Sequence, residues 1–156
     1  KIRSDLSERA NLDGNRARSA MVQELKSSPL FRELKLLNQL ISKAVISMEE
    51  SVNGQNHKAF LKLLRDVGNA SKSSLIGFER ILQQFSGLEI EDIVSEGDEF
   101  KKSFVQALSA LLVAGKDYGM TPNKSSSLRS ALESFKAKHE SVSSFQERLE
   151  SSIDLL

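Results

Sequence analysis

From Leu30 to Ile153 apolar side chains recur at every third or fourth position, and no window alternates apolar with polar over six residues. The first pattern lines one face of an α-helix, and the second is what a half-buried strand requires. That single feature confines the chain to helices packed on helices. Composition agrees where it matters. The chain has 22 Leu and 11 Ala but a single Thr and a single Tyr, while the eight Val and eight Ile follow the three-and-four spacing. The expected fold is all-α: an up-and-down bundle of four long helices, with room for short extra helices.

Helix breakers divide the 156 residues. Residues 1–28 are polar, with scattered Arg3, Arg9, Arg16 and Arg18 and few apolar positions, so they read as a flexible arm or as a weak helix near 16–27. Residues 29–156 read as one bundle domain, a usual domain size. Ser28-Pro29 predicts a helix start, with Ser as N-cap and Pro at the first helical position. The first long helix then runs to Asn53-Gly54, expected to supply a left-handed cap. A second spans about Asn56 to Phe85, where Gly68 and Gly77 predict a kink, a close helix contact or a break. Leu88 to Asp98 reads as an acidic connector, and Asp98 as the N-cap of a third helix ending near Tyr118. The last helix, from about Asn123 to Leu156, contains no breaker, and a dimer-forming coiled coil through it is the runner-up arrangement.

Several function classes lack their residues. With no Cys there are no disulfides, thiolate zinc sites, iron–sulfur ligands or Cys nucleophiles. Lys and Arg number 22 against 21 Asp and Glu, interleaved, so neither a nucleic-acid stripe nor attraction to anionic lipid is expected. The longest mostly apolar stretch, Ala107 to Gly115, is about half of the ~20 residues a transmembrane helix needs. His57 opens the second helix and is expected to be exposed, whereas His139 falls on the apolar stripe between Phe135 and Val142. No two His share one helical turn, and neither a Gly-rich phosphate loop nor a G-x-S-x-G elbow occurs. The expectation is a protein that is not an enzyme and carries no metal or cofactor.

What remains are the broad apolar faces, rich in Leu and eight Phe. They can fill a core, or leave a tunnel between helices wide enough for an acyl chain; periodicity does not separate the two. The order of elements from Leu37 to Ile153 carries a resemblance. A long helix ends in Ser51-Val52-Asn53-Gly54, and a helix with the spaced leucines of Phe60-Leu61-Lys62-Leu63-Leu64 follows. Next come a short connector from Ser86 to Gly97 and a helix with paired Leu from Ala107 to Tyr118. A Ser-Leu-rich helix opening Ser126-Ser127-Leu128-Arg129-Ser130-Ala131-Leu132 closes the pattern. In this order the chain resembles the fungal hydrophobic-surface-binding and cell-wall mannoprotein family. The resemblance implies a secreted helical domain that holds a fatty acid in a central tunnel or binds hydrophobic surfaces.

Three functional expectations follow. In the first, a fatty acid or similar lipid lies in a tunnel lined by the stripe residues Phe60, Leu64, Phe78, Phe104, Leu108, Leu111, Phe135 and Phe145, with Tyr118 or His139 meeting its headgroup. In the alternative, the core is filled and the domain is a protein–protein interaction module that binds through outer helix faces or through the acidic connector with Glu89, Glu91 and Asp92. In the third, the amphipathic helices open onto a lipid surface.

Overall fold

The computed structural model describes residues 16–121 and 125–156, and all regular structure among them is helical. A short helix α1 over residues 16–26 precedes four long ones: α2 (Leu30–Asn53), α3 (His57–Gly87), α4 (Glu91–Met120) and α5 (Ser125–Ile153). Each long helix packs on its neighbours in the chain, and α5 returns to close the ring against α2. The connections at 54–56 and 88–90 are too short for anything but an antiparallel reversal, so the helices run up and down.

The helix starts follow local chemistry. The Ser28 hydroxyl accepts the amide of Leu30 at 3.3 Å and Glu33 N–H bonds the Pro29 carbonyl at 3.0 Å, so the helix starts one residue later than expected, with Pro29 in the N-cap place and Leu30 first. The Asn56 side chain accepts the amide of Ala59 and opens α3. Gly68 and Gly77 do not interrupt α3, which runs unbroken for 31 residues, ~46 Å.

Two further expectations change. Gly54 has φ −84 and is not left-handed; the left-handed residue of that turn is Gln55, with φ 55, and Glu89, with φ 61, plays the same part between α3 and α4. Asp98 is not an N-cap. α4 begins at Glu91, so most of the acidic connector forms its opening turns, with Glu91 and Asp92 at the positive end of the helix dipole. The physical reason is packing: Ile90, Ile93, Val94 and Phe100 are half-buried against the core, and Gly97 lies buried against Leu82. Burial along that face outweighs the poor helix propensity of Gly97-Asp98. Of the two readings of the polar leader, the helix holds over residues 16–26. Val22 and Leu25 are buried, and the Arg18 guanidinium donates to the Leu88 carbonyl at 2.9 Å, fastening α1 over the α3–α4 corner. The rest of the leader, 1–15, lies outside the described residues.

The core runs the length of the bundle, with Phe60, Phe78, Phe85, Phe104 and Phe135 fully enclosed. The seam between α3 and α4 is built on close approach at glycines. Leucines on one helix sit over glycines on the other at Leu61/Gly119, Leu64/Gly115, Gly68/Leu112 and Leu82/Gly97, in one constant antiparallel register. A Cβ on Gly97 would come within 2.4 Å of Leu82 Cδ2, and one on Gly115 within 2.7 Å of Leu64 Cδ2. The missing side chains are therefore what let the two helices approach.

Candidate functional site

The opposite side of the ring is built differently. On α2, Asn38 takes a stripe position between Leu34 and Ile41; on α5, His139 and Gln146 take stripe positions around Val142. The 3.6-residue period turns all three toward the seam between the two helices. His139 and Gln146 are each only 4% exposed. Asn38 Nδ2 donates to Gln146 Oε1 at 2.7 Å, and Asn38 Oδ1 faces His139 Nε2 at 3.3 Å. With Asn38 Oδ1 as the acceptor, His139 carries its proton on Nε2. The imidazole is flanked by the rings of Phe135 and Phe104, at 6.1 and 6.0 Å between centroids. Desolvation by this burial pushes the His139 pKa down from 6.5 to about 4, so the ring is neutral at pH 7.

The hydrogen-bonded row ends on an unused donor. Gln146 Nε2 is buried without a partner, and so is Ser143 Oγ one turn earlier on α5. A buried donor left unpaired costs about 1–3 kcal/mol relative to a satisfied one. Both residues border a groove of about 610 Å³ along the α2–α5 seam. Its α2 wall carries Lys35 and Lys43, and its α5 wall carries Glu147 and Glu150. None of these four charges is paired across the groove. The ion pairs among the described residues are Lys101–Glu79, Lys136–Glu49 and Arg148–Glu96. Further along the same seam the sign on α2 reverses. A second groove of about 480 Å³ has Glu49 on the α2 side and Arg129 and Lys136 beside Glu133 and Glu140 on the α5 side, and there Lys136 reaches Glu49 at 3.7 Å.

The residues expected to line a tunnel are gathered in the core. Phe104 packs on Phe135 at 5.4 Å, Phe78 on Phe145 at 5.9 Å, and Phe60 on Tyr118 at 5.0 Å between centroids. Leu64, Leu108 and Leu111 are buried with them. Among the described residues, hollows of 480 to 610 Å³ open on the surface along the α2–α5 seam and elsewhere, and none of the eight residues lines these. Tyr118 and His139 do not share a mouth: Tyr118 meets Phe60 and His57 at the first turn of α3, whereas His139 meets Asn38 near the middle of α2. His57, expected at an exposed helix end, is half-buried beside Tyr118, with Nδ1 enclosed. Asn38, Ser143 and Gln146 were not singled out by sequence reasoning. The signal that finds Asn38 and Gln146 is a carboxamide at a stripe position, Leu34-to-Asn38-to-Ile41 and Val142-to-Gln146-to-Leu149, whereas nothing in the sequence marks Ser143.

Among the described residues, no three His, Asp or Glu side chains are grouped to hold a metal ion, and no helix is long and apolar enough to cross a membrane. Compared with protein-family models, curated proteins and solved structures, the chain matches none.

Proposed function

We propose that the bundle is a non-enzymatic protein-binding module that meets its partner through the α2–α5 groove. The observation that carries this reading is the groove itself, whose facing walls of unpaired Lys35, Lys43, Glu147 and Glu150 stand above the buried, partnerless amide of Gln146. Charged groups held apart on an open surface steer and align a partner more than they stabilise the monomer. The unpaired amide rewards a partner that brings an acceptor. The groove is a trough open to solvent between two helices, and its length suits a helix or an extended segment better than a compact molecule. The core favours the same reading over an acyl tunnel, because a fatty acid would have to displace Phe104, Phe135 or their neighbours, which touch one another.

A photo-reactive residue placed at Gln39 or Ser151, on the two walls of the groove, should cross-link the native partner in its source cells, and one at the outward-facing Val113 on α4 should not. Organic extraction of gently purified protein should yield no stoichiometric fatty acid. Equal cross-linking from all three positions, or a co-purifying fatty acid, would overturn the reading, the latter in favour of the tunnel.

A further inference from the structure

Resting on that reading, we propose that the partner is a second copy of this chain, joined about a twofold axis that runs along the α2–α5 groove. A face with a basic wall beside an acidic wall is its own complement. Rotation by half a turn about an axis parallel to the helices lays the α2 of each copy on the α5 of the other, at the same level along the bundle. Lys35 of one copy then comes level with Glu147 and Glu150 of the other, and Lys43 with Glu140, and the reciprocal pairs form together. Further along the seam, where the sign on α2 changes, Glu49 of each copy comes level with Arg129, Glu133 and Lys136 of the other, two cations to one anion. A single-sign groove would repel itself under the same operation. At the floor, Gln39 and Ser42 of one α2 come level with Ser143 and Gln146 of the opposite α5. Those carboxamide and hydroxyl oxygens are acceptors for the amide that has no partner among the described residues. The net charge of +1 leaves little overall repulsion between two copies.

Sedimentation velocity on the full chain, across a concentration series at low and high salt, tests the proposal. A dimer is expected whose dissociation constant rises with salt. Reversing one wall, Lys35→Glu with Lys43→Glu, or the other, Glu147→Lys with Glu150→Lys, should each weaken self-association about a hundredfold, since like charges then face each other across the interface. Mixing the two variants should restore a one-to-one heterodimer, because each then presents two walls of one sign to two walls of the other. All four positions are exposed, so the helical circular dichroism of each variant should match the parent. A chain that stays monomeric at low salt overturns the proposal, as does a dimer indifferent to both reversals or a mixture that fails to pair. Cross-links from Gln39 and Ser151 to a different protein, with none between copies, would remove the second copy and leave the binding-module reading standing. Equal cross-linking from Val113 would remove both.

Discussion

The α3–α4 seam and the α2–α5 seam close the same ring of helices by opposite means. On α3–α4, glycines leave holes that leucines fill at Gly97/Leu82 and Gly115/Leu64, and the backbones approach until a single added Cβ would collide. On α2–α5, Asn38, His139 and Gln146 replace apolar stripe residues, and the surface above them opens into grooves. The first seam rests on close apolar packing. The second seam gives up apolar burial and keeps hydrogen-bonding capacity and unpaired charge. On the reading proposed above, the seam with less apolar burial is the one that binds.

Acid should separate the two seams most widely. Folding lowers the His139 pKa to about 4 from the 6.5 of the unfolded chain, so as pH falls the unfolded state takes up the proton first. The stability tied to neutral His139 is fully present above pH 6.5, declines between 6.5 and 4, and is gone below 4. The loss over that window is about 3 kcal/mol, at 1.36 kcal/mol for each pH unit between the two values. Urea denaturation of the parent and of His139→Leu at pH 7 and at pH 4.5 measures it, and the substitution should remove most of this slope. A slope unchanged by the substitution would mean that acid acts elsewhere, and the α2–α5 seam would lose its distinction.

The polar row itself should behave as a unit. Asn38→Leu deletes both hydrogen bonds and leaves His139 Nε2–H and Gln146 Oε1 buried without partners, a loss of about 1–3 kcal/mol. Changing Asn38, His139 and Gln146 to Leu together removes every group that needs a partner, and most of that loss should be recovered. Equilibrium urea curves of the single and triple variants decide it. If the triple variant is less stable than Asn38→Leu alone, the row supports the fold, and the argument that it is kept for binding weakens.

The first seam was easier to read in the sequence than the second, for a physical reason. Periodicity reports which face of a helix is apolar, so Phe60, Phe104 and Phe135 were placed on inward faces, with a filled core and a lipid tunnel both open and the tunnel named first, and the structure buries them. Local rules misplace an element where tertiary packing overrides them. Gly97-Asp98 has the composition of a helix boundary, yet Gly97 is inside α4 because Leu82 occupies the space a side chain would need. Asn53-Gly54 has the composition of a left-handed cap, yet Gln55 takes that conformation. The groove was harder still. Asn38 and Gln146 lie 108 positions apart in sequence and on different helices, and only the register between α2 and α5 reveals that they bond. A single carboxamide on a stripe looks like noise in a periodicity, and two become a site only when the fold sets them face to face.

The smallest expected effects test the tight seam through its glycines. In a helix interior Gly→Ala is worth about 1 kcal/mol of stabilisation from propensity alone. At Gly68 the added Cβ would sit 3.4 Å from Leu112 Cδ2, an ordinary contact, so Gly68→Ala should raise stability by up to about 1 kcal/mol. At Gly97 and Gly115 the Cβ would lie under 3.0 Å from leucine side chains that are themselves buried. Overpacking a filled core costs about 1–3 kcal/mol, so after the propensity gain each of these substitutions should lower stability by about 1 kcal/mol. Opposite signs for one chemical change on one seam would show that close approach, not helix propensity, placed the glycines there. If all three stabilise, Leu64 and Leu82 can swing aside at little cost, and the α3–α4 seam is looser than its spacing implies.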